Sequence, residues 1–290
     1  MTFGSYSIHT LETGRFRLDG GAMFGVVPKT LWSRSNPADD LNRIDMTMRS
    51  LLVRGGDRIV LVDTGVGRKL HDKQMAMYDI AFHEHELVHA LARLDITPEQ
   101  VTDVILTHAH FDHIGGCTVR EGDELRLQFP NAVHYLQREH WEWALKPSER
   151  DRASFLPENY LPIGEAGRLQ LVNGNETLFP DLHLECVHGH TFAQQLVRIV
   201  DGDRSLLYCG DLIPMRAHVP APWIMGYDLQ PLVTLREKID AMRRAAAHRD
   251  ILVFEHDAFT EAATITETER GFAVLHAGTL ADLLAQGDAA

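Results

Sequence analysis

Short runs of β-branched and other apolar residues recur along the chain, and five of them stop abruptly at polar residues. Residues 58–62 (RIVLV) stop at Asp63, Thr64 and Gly65, and 103–106 (DVIL) at Thr107 and His108. Residues 182–187 run to His188, Gly189 and His190; 205–209 (SLLYC) run to Gly210 and Asp211; 250–254 (DILVF) run to Glu255 and His256. Their length and residue types predict strands. Between them the period lengthens to that of a helix. Leu87, Val88, Leu91 and Leu94 share one face over 83–94, and Leu232, Leu235, Ile239 and Met242 share one over 231–248, after a proline suited to the first helical position. Thr97-Pro98-Glu99-Gln100 has the form of a capping box ahead of the 103–106 strand. Strands alternating with helices predict an α/β layered fold. No internal repeat divides the sequence, so residues 1–290 are expected to form a single domain. Residues 14–50 mix Gly, Pro, Asn and Asp with apolar positions and predict a loop-rich segment flanking the active site.

Composition narrows the partners. The formal charge of −13, from 28 Lys+Arg against 41 Asp+Glu, disfavours nucleic acid, whose binding is driven by cationic side chains. Cys117, Cys186 and Cys209 are widely spaced and predict small buried residues rather than a disulfide framework or thiolate ligands. The first residues lack a basic stretch followed by an apolar run, and no apolar stretch reaches the length of a membrane span; a cytoplasmic protein without membrane contact is expected.

The chemistry concentrates in His108-Ala109-His110-Phe111-Asp112-His113, four candidate ligands in six residues. Neutral imidazoles and a carboxylate suit Zn(II) or a neighbouring transition metal. His190, Asp211 and His256 each follow a separate predicted strand, as His108 does, and the crevice beyond the carboxyl ends of strands in α/β sheets is where ligands collect. One site can receive all seven residues. His188, two before His190, is expected beside the site rather than in it, and His83, His85 and His89 on a solvated face.

This set resembles the metallo-β-lactamase superfamily, whose members carry HxHxDH, then a lone His in a GHT-type turn, a Gly-Asp and a late His. Here those are His108 to His113, Gly189-His190-Thr191, Gly210-Asp211 and His256, with Leu61-Val62-Asp63-Thr64-Gly65 upstream. The resemblance implies an αββα sandwich with the site at one edge. It implies two divalent ions, Zn2+ before Mn, Co or Fe: one on His108, His110 and His190, the second on Asp112, His113 and His256, with Asp211 bridging. Asp63 would orient a ligand.

Within the superfamily the chain looks most like the N-acyl-homoserine lactone lactonase (quorum-quenching) branch, on Phe111 inside the motif, the Gly-Asp, His256-Asp257, and the stretches through Leu31-Trp32 and from Asp211 to Tyr227. The implied activity is opening of lactone rings by a hydroxide bridging the two ions, with Asp112 moving the proton. The alternative is an aryl or organophosphate esterase, or another carboxylic-ester hydrolase, of the same fold. Phe24, Trp32, Phe111, His218, Trp223 and Tyr227 are the candidate pocket wall for a small ester or lactone. Some lactonases place a tyrosine three residues after the bridging Asp; this chain has Pro214 there, and the role passes to His218 or Tyr227. A homodimer through the N-terminal segment is an expectation of the same kind.

Overall fold

The computed structural model describes residues 1–82 and 86–287. His83 and His85, and with them the start of the 83–94 helix, lie outside the described residues; the helix is described from Leu87 to Ala92, with His89 exposed. Two seven-stranded sheets dominate the structure. The first runs Thr2–Phe3, Tyr6–Asp19, Arg43–Gly55, Arg58–Val62, Asp103–Ile105, Val133–Gln137 and Leu169–Val172 in spatial order. The second runs Glu176–Phe179, Leu182–Val187, Gln194–Asp201, Arg204–Tyr208, Ile251–Val253, Ala262–Thr268 and Gly271–Gly278.

Strand alternation explains the layering. Leu51 and Val53 point one way from their strand and join Val60, Val62 and Ile105 against Leu184, Val197, Leu206 and Val253 of the other sheet, a core between the sheets. Leu52, Leu61 and Val104 point the other way, under Leu87, Leu91 and the helix Pro157–Glu165. Leu196, Leu207 and Leu252 do the same beneath Ala241, Met242 and Ala245 of the helix Pro231–His248. The layers are therefore α, β, β, α. Pro231 opens that helix at its first turn, and Thr97 N–H donates to Gln100 Oε1 (2.8 Å) at the short 3-10 turn Pro98–Gln100.

The segment 14–50 departs from its composition. Residues 14–19 and 43–50 are strand, paired antiparallel across the register Asp19↔Arg43 to Gly14↔Met48, and only 20–42 is irregular, with short helices Gly20–Phe24 and Lys29–Trp32. The register shifts between Glu12 and Gly14, which breaks the two-residue alternation and hides the strand from a periodicity reading. Among the described residues, no helix is long and apolar enough to cross a membrane.

Candidate metal centre

Five strand ends open on one edge of the sandwich. Arg58–Val62 and Asp103–Ile105 are parallel, and they deliver Asp63 and His108 side by side. In the second sheet Arg204–Tyr208 and Ile251–Val253 are parallel and deliver Asp211 and His256; Leu182–Val187 runs the same way, two antiparallel steps off, and delivers His190. Glycines let the turns close. A Cβ on Gly189 would lie 2.3 Å from Thr234 N at the start of the long helix, and one on Gly116 would lie 2.2 Å from Thr64 O, so neither position admits a larger residue.

At this edge His110 Nδ1 lies 2.9 Å from His108 Nε2 and 3.2 Å from His190 Nε2. A second group forms opposite, with His256 Nε2 at 3.2 Å from His113 Nε2 and Asp112 Oδ2 at 3.8 Å from each. Asp211 stands between the groups: Oδ2 is 3.1 Å from His190 Nε2 and 3.6 Å from His113 Nε2, while Oδ1 is 3.0 Å from His256 Nε2. His108, His110, His190 and Asp211 offer ligand atoms within 4.8 Å of one another, as do Asp112, His113 and His256. The donor set fits divalent ions. Ring nitrogens facing one another at about 3 Å are a poor hydrogen-bond arrangement, whereas bonds of about 2.0–2.2 Å to a common ion produce donor separations of this size.

Four of the five imidazoles are held from behind, whereas His110 Nε2 is buried without a partner. Thr107 Oγ1 lies 3.0 Å from His108 Nδ1, Asp228 Oδ1 2.9 Å from His190 Nδ1, and Thr47 O 3.0 Å from His256 Nδ1. His113 Nδ1 has two carboxylates, Asp63 Oδ2 at 3.0 Å and Glu255 Oε1 at 3.1 Å. Asp63 also accepts from Thr107 N–H (2.7 Å) and Thr107 Oγ1 (2.6 Å), tying the two strand ends together. Such partners fix ring orientation and raise ligand basicity. Neither Asp228 nor Glu255 was singled out from the sequence. Glu255 adjoins His256 and had a positional signal; Asp228 sits in an irregular stretch and had none.

Burial and neighbouring imidazoles hold His108 and His110 well below the ordinary histidine range. Burial also pulls His190 and His256 down, but Asp211, joined by Asp228 at His190 and by Glu255 at His256, outweighs it and carries both to about 9. In the metal-free chain, then, protons on His190 and His256 balance Asp211, whose carboxyl is held well below its usual range by those histidines against the effect of burial. Divalent cations would replace those protons.

Above the centre lies a cavity of about 390 Å3. His110, Asp112, His190, Asp211 and His256 form its floor, Leu18, Met23, Met46, Phe111 and Met225 an apolar wall, and Tyr78, Tyr227, Arg150 and Ser154 its polar rim. Of the residues expected to line it, Phe111 and Tyr227 do. Phe24, Trp32, His218 and Trp223 do not. Phe24 is fully buried between Trp32 (5.2 Å, 14°) and His218 (4.9 Å, 8°), with Trp223 edge-on at 5.7 Å. His218 Nε2 donates to Met23 O (2.9 Å). His188 is half-buried on the outside, its backbone N–H donating to Glu237 (2.8 Å). All three cysteines are unpaired, Cys117 and Cys209 buried and Cys186 half-buried.

Three histidines away from the floor are buried as neutral bases: burial takes His134 and His140 to about 4 and His218 to about 3. Below pH 6.5 the unfolded chain protonates at these positions and the folded chain does not. The stability that these three groups contribute is therefore complete above about pH 6.5 and falls as pH drops towards 4, by up to about 1.4 kcal/mol per pH unit for each group. Urea midpoints of metal-free protein at pH 6.5 and 4.5, a range in which His190 and His256 are protonated in the folded chain throughout, check this; an unchanged midpoint would exclude it.

Comparison with known proteins agrees with this geometry. Residues 49–285 match the model of the metallo-beta-lactamase superfamily, and the chain belongs to that superfamily. Among curated relatives it is 27% identical over 140 residues to the N-acyl homoserine lactonase AiiB of Agrobacterium fabrum, covering 44% of this chain. The match spans 50%, about half, of that relative's length. Among solved structures it is similar to a probable metal-dependent hydrolase from Staphylococcus aureus (28% identity, TM-score 0.87, covering 96% of this chain and 98% of that one). It also shares its fold with AidC, a dizinc quorum-quenching lactonase (21% identity, TM-score 0.79, covering 95% of each chain). The αββα sandwich that the resemblance implied is the observed fold.

Proposed function

We propose that this protein is a dinuclear metal-dependent hydrolase that opens lactone rings, N-acyl-homoserine lactones foremost. The observation that carries the reading is the Asp211 carboxylate set between two histidine groups on the floor of a largely apolar cavity. His108, His110 and His190 would hold one ion, Asp112, His113 and His256 the other, with Asp211 shared. Bound divalent ions, zinc in the first instance, supply Lewis acidity that lowers the pKa of water and polarises the acyl oxygen. Asp112 faces the cavity at 7% exposure, placed to take the proton of the attacking water and return it to the leaving alkoxide. The apolar wall of Leu18, Met23, Met46 and Met225 suits an acyl chain. The relatives named as lactonases support the reading.

Tyr227 takes the part that Pro214 leaves vacant. It is the neighbour of Asp228, which grips His190, and Leu229 N–H donates to His190 O (3.0 Å), so the phenol rides on a strap stapled to the centre. Although 39% of Tyr227 is exposed, desolvation of its buried part, with Asp19 and Asp112 nearby, keeps it protonated, well above the ordinary tyrosine range, as a hydrogen-bond donor. His218, facing Met23 O behind the wall, is not available for the role. Tyr227→Phe lowers kcat on lactones by up to about 100-fold while both ions stay bound; an unchanged kcat would remove Tyr227 from the mechanism.

The test of substrate class is kcat/KM of zinc-loaded protein on acyl-homoserine lactones, simple lactones, 4-nitrophenyl esters and phosphotriesters. Highest values on lactones are expected. A higher value on aryl or phosphate esters replaces the reading with an esterase of the same fold.

A further inference from the structure

The helix Arg138–Leu145 contributes nothing to the cavity, yet one of its side chains reaches the backbone beneath the three-histidine group. His140 is fully buried. Its Nε2 lies 2.8 Å from Ala109 N, and its Nδ1 lies 2.7 Å from Phe192 O. An amide N–H can only donate and a carbonyl can only accept, so Nε2 is the bare acceptor and Nδ1 carries the proton. The partners thus dictate one neutral tautomer. Burial, which holds this ring down to about 4, agrees with it.

The two partners are what give the ring its meaning. Ala109 lies between His108 and His110, and Phe192 lies two residues after His190. One imidazole therefore ties together the two turns, from different sheets, whose ring nitrogens converge to 2.9 and 3.2 Å. The sheets also meet through Gln195 N–H to Thr107 O (2.8 Å), but that bond lies on the strand side of His108. His140 holds the turns beyond it. Its ring also stands edge-on to His108, centroids 6.0 Å apart at 85°.

We propose that His140 is a positioning residue that sets the spacing of His108, His110 and His190, and through it the affinity of that half of the centre for its ion. It touches neither ion nor substrate. The inference rests on the metal-centre reading above. A side chain without both nitrogen functions leaves the Ala109 N–H buried and unpartnered, which the turn relieves only by moving.

The experiment compares wild type, His140→Leu and His140→Gln, loaded with Co(II), by visible absorption and by retention of each metal equivalent against a competing chelator. For His140→Leu, affinity for one of the two ions falls about 10- to 100-fold, the cobalt bands of that ion change, and the other ion is retained as in wild type. His140→Gln, which keeps a donor and an acceptor, recovers most of the loss. A folded Leu variant with wild-type affinity for both ions and an unchanged cobalt spectrum overturns the proposal and leaves His140 as core filling. Should the Leu variant not fold, 15N NMR of unaltered protein decides. A neutral ring protonated at Nδ1 at neutral pH is required; an Nε2–H tautomer overturns the proposal. Wild-type protein that binds no ion would instead defeat the metal reading, and the tautomer measurement would still judge the clamp.

Discussion

Asp112→Asn lowers kcat on lactones by about 10²- to 10⁴-fold, the range that general acid–base catalysis contributes, with KM little changed. The reason lies in what an amide keeps and what it loses. Its oxygen can still face His113 and His256, each of whose Nε2 atoms lies 3.8 Å from Asp112 Oδ2. It cannot accept a proton from the attacking water. Metal analysis of the variant separates this from loss of a ligand: two equivalents retained with kcat collapsed is the expected pair of results. A variant that keeps both ions and wild-type kcat would show that the proton goes elsewhere.

Removing metal has the second large effect. Dialysis against a chelator abolishes turnover and lowers Tm by roughly 10 °C, the shift expected when an ion present at about a thousand times its Kd ceases to stabilise the folded state. Without ions, two buried groups of imidazoles face one another across Asp211, with protons on His113, His190 and His256 in compensation. Zinc, and separately manganese, cobalt or iron, should restore both activity and Tm. Calorimetric scans of stripped and reloaded protein check the stability half; coincident transitions would mean that the seven residues hold no ion.

The site was more legible in the sequence than the wall around it, for a physical reason. Asp63, His108, His190, Asp211 and His256 each terminate a short apolar run, so a strand reading also locates its polar end, and parallel topology gathers the ends. The long amphipathic helix was equally plain, its predicted bounds matching Pro231–His248. The pairing of Tyr6–Asp19 with Arg43–Gly55 was not, because the extra residue Thr13 interrupts the alternation and the partner lies across 23 residues of turns and short helices, 20–42. Phe24, Trp32 and His218 were assigned to the pocket because they lie in irregular stretches flanking the motifs, and position along the chain cannot tell a wall from the layer supporting it. Asp228 and His140 act from an irregular strap and a helix well away from any motif. Only the folded chain brings them to His190 and Ala109.

The most direct test of the account is proton release when zinc-loaded protein meets N-acyl-homoserine lactones of short and long acyl chain, followed with a pH indicator in weak buffer. Ring opening produces a carboxylic acid, so the account predicts stoichiometric acid release that disappears on metal removal and in Asp112→Asn. No release from any lactone, with two equivalents of metal confirmed in the protein, would contradict the lactonase assignment.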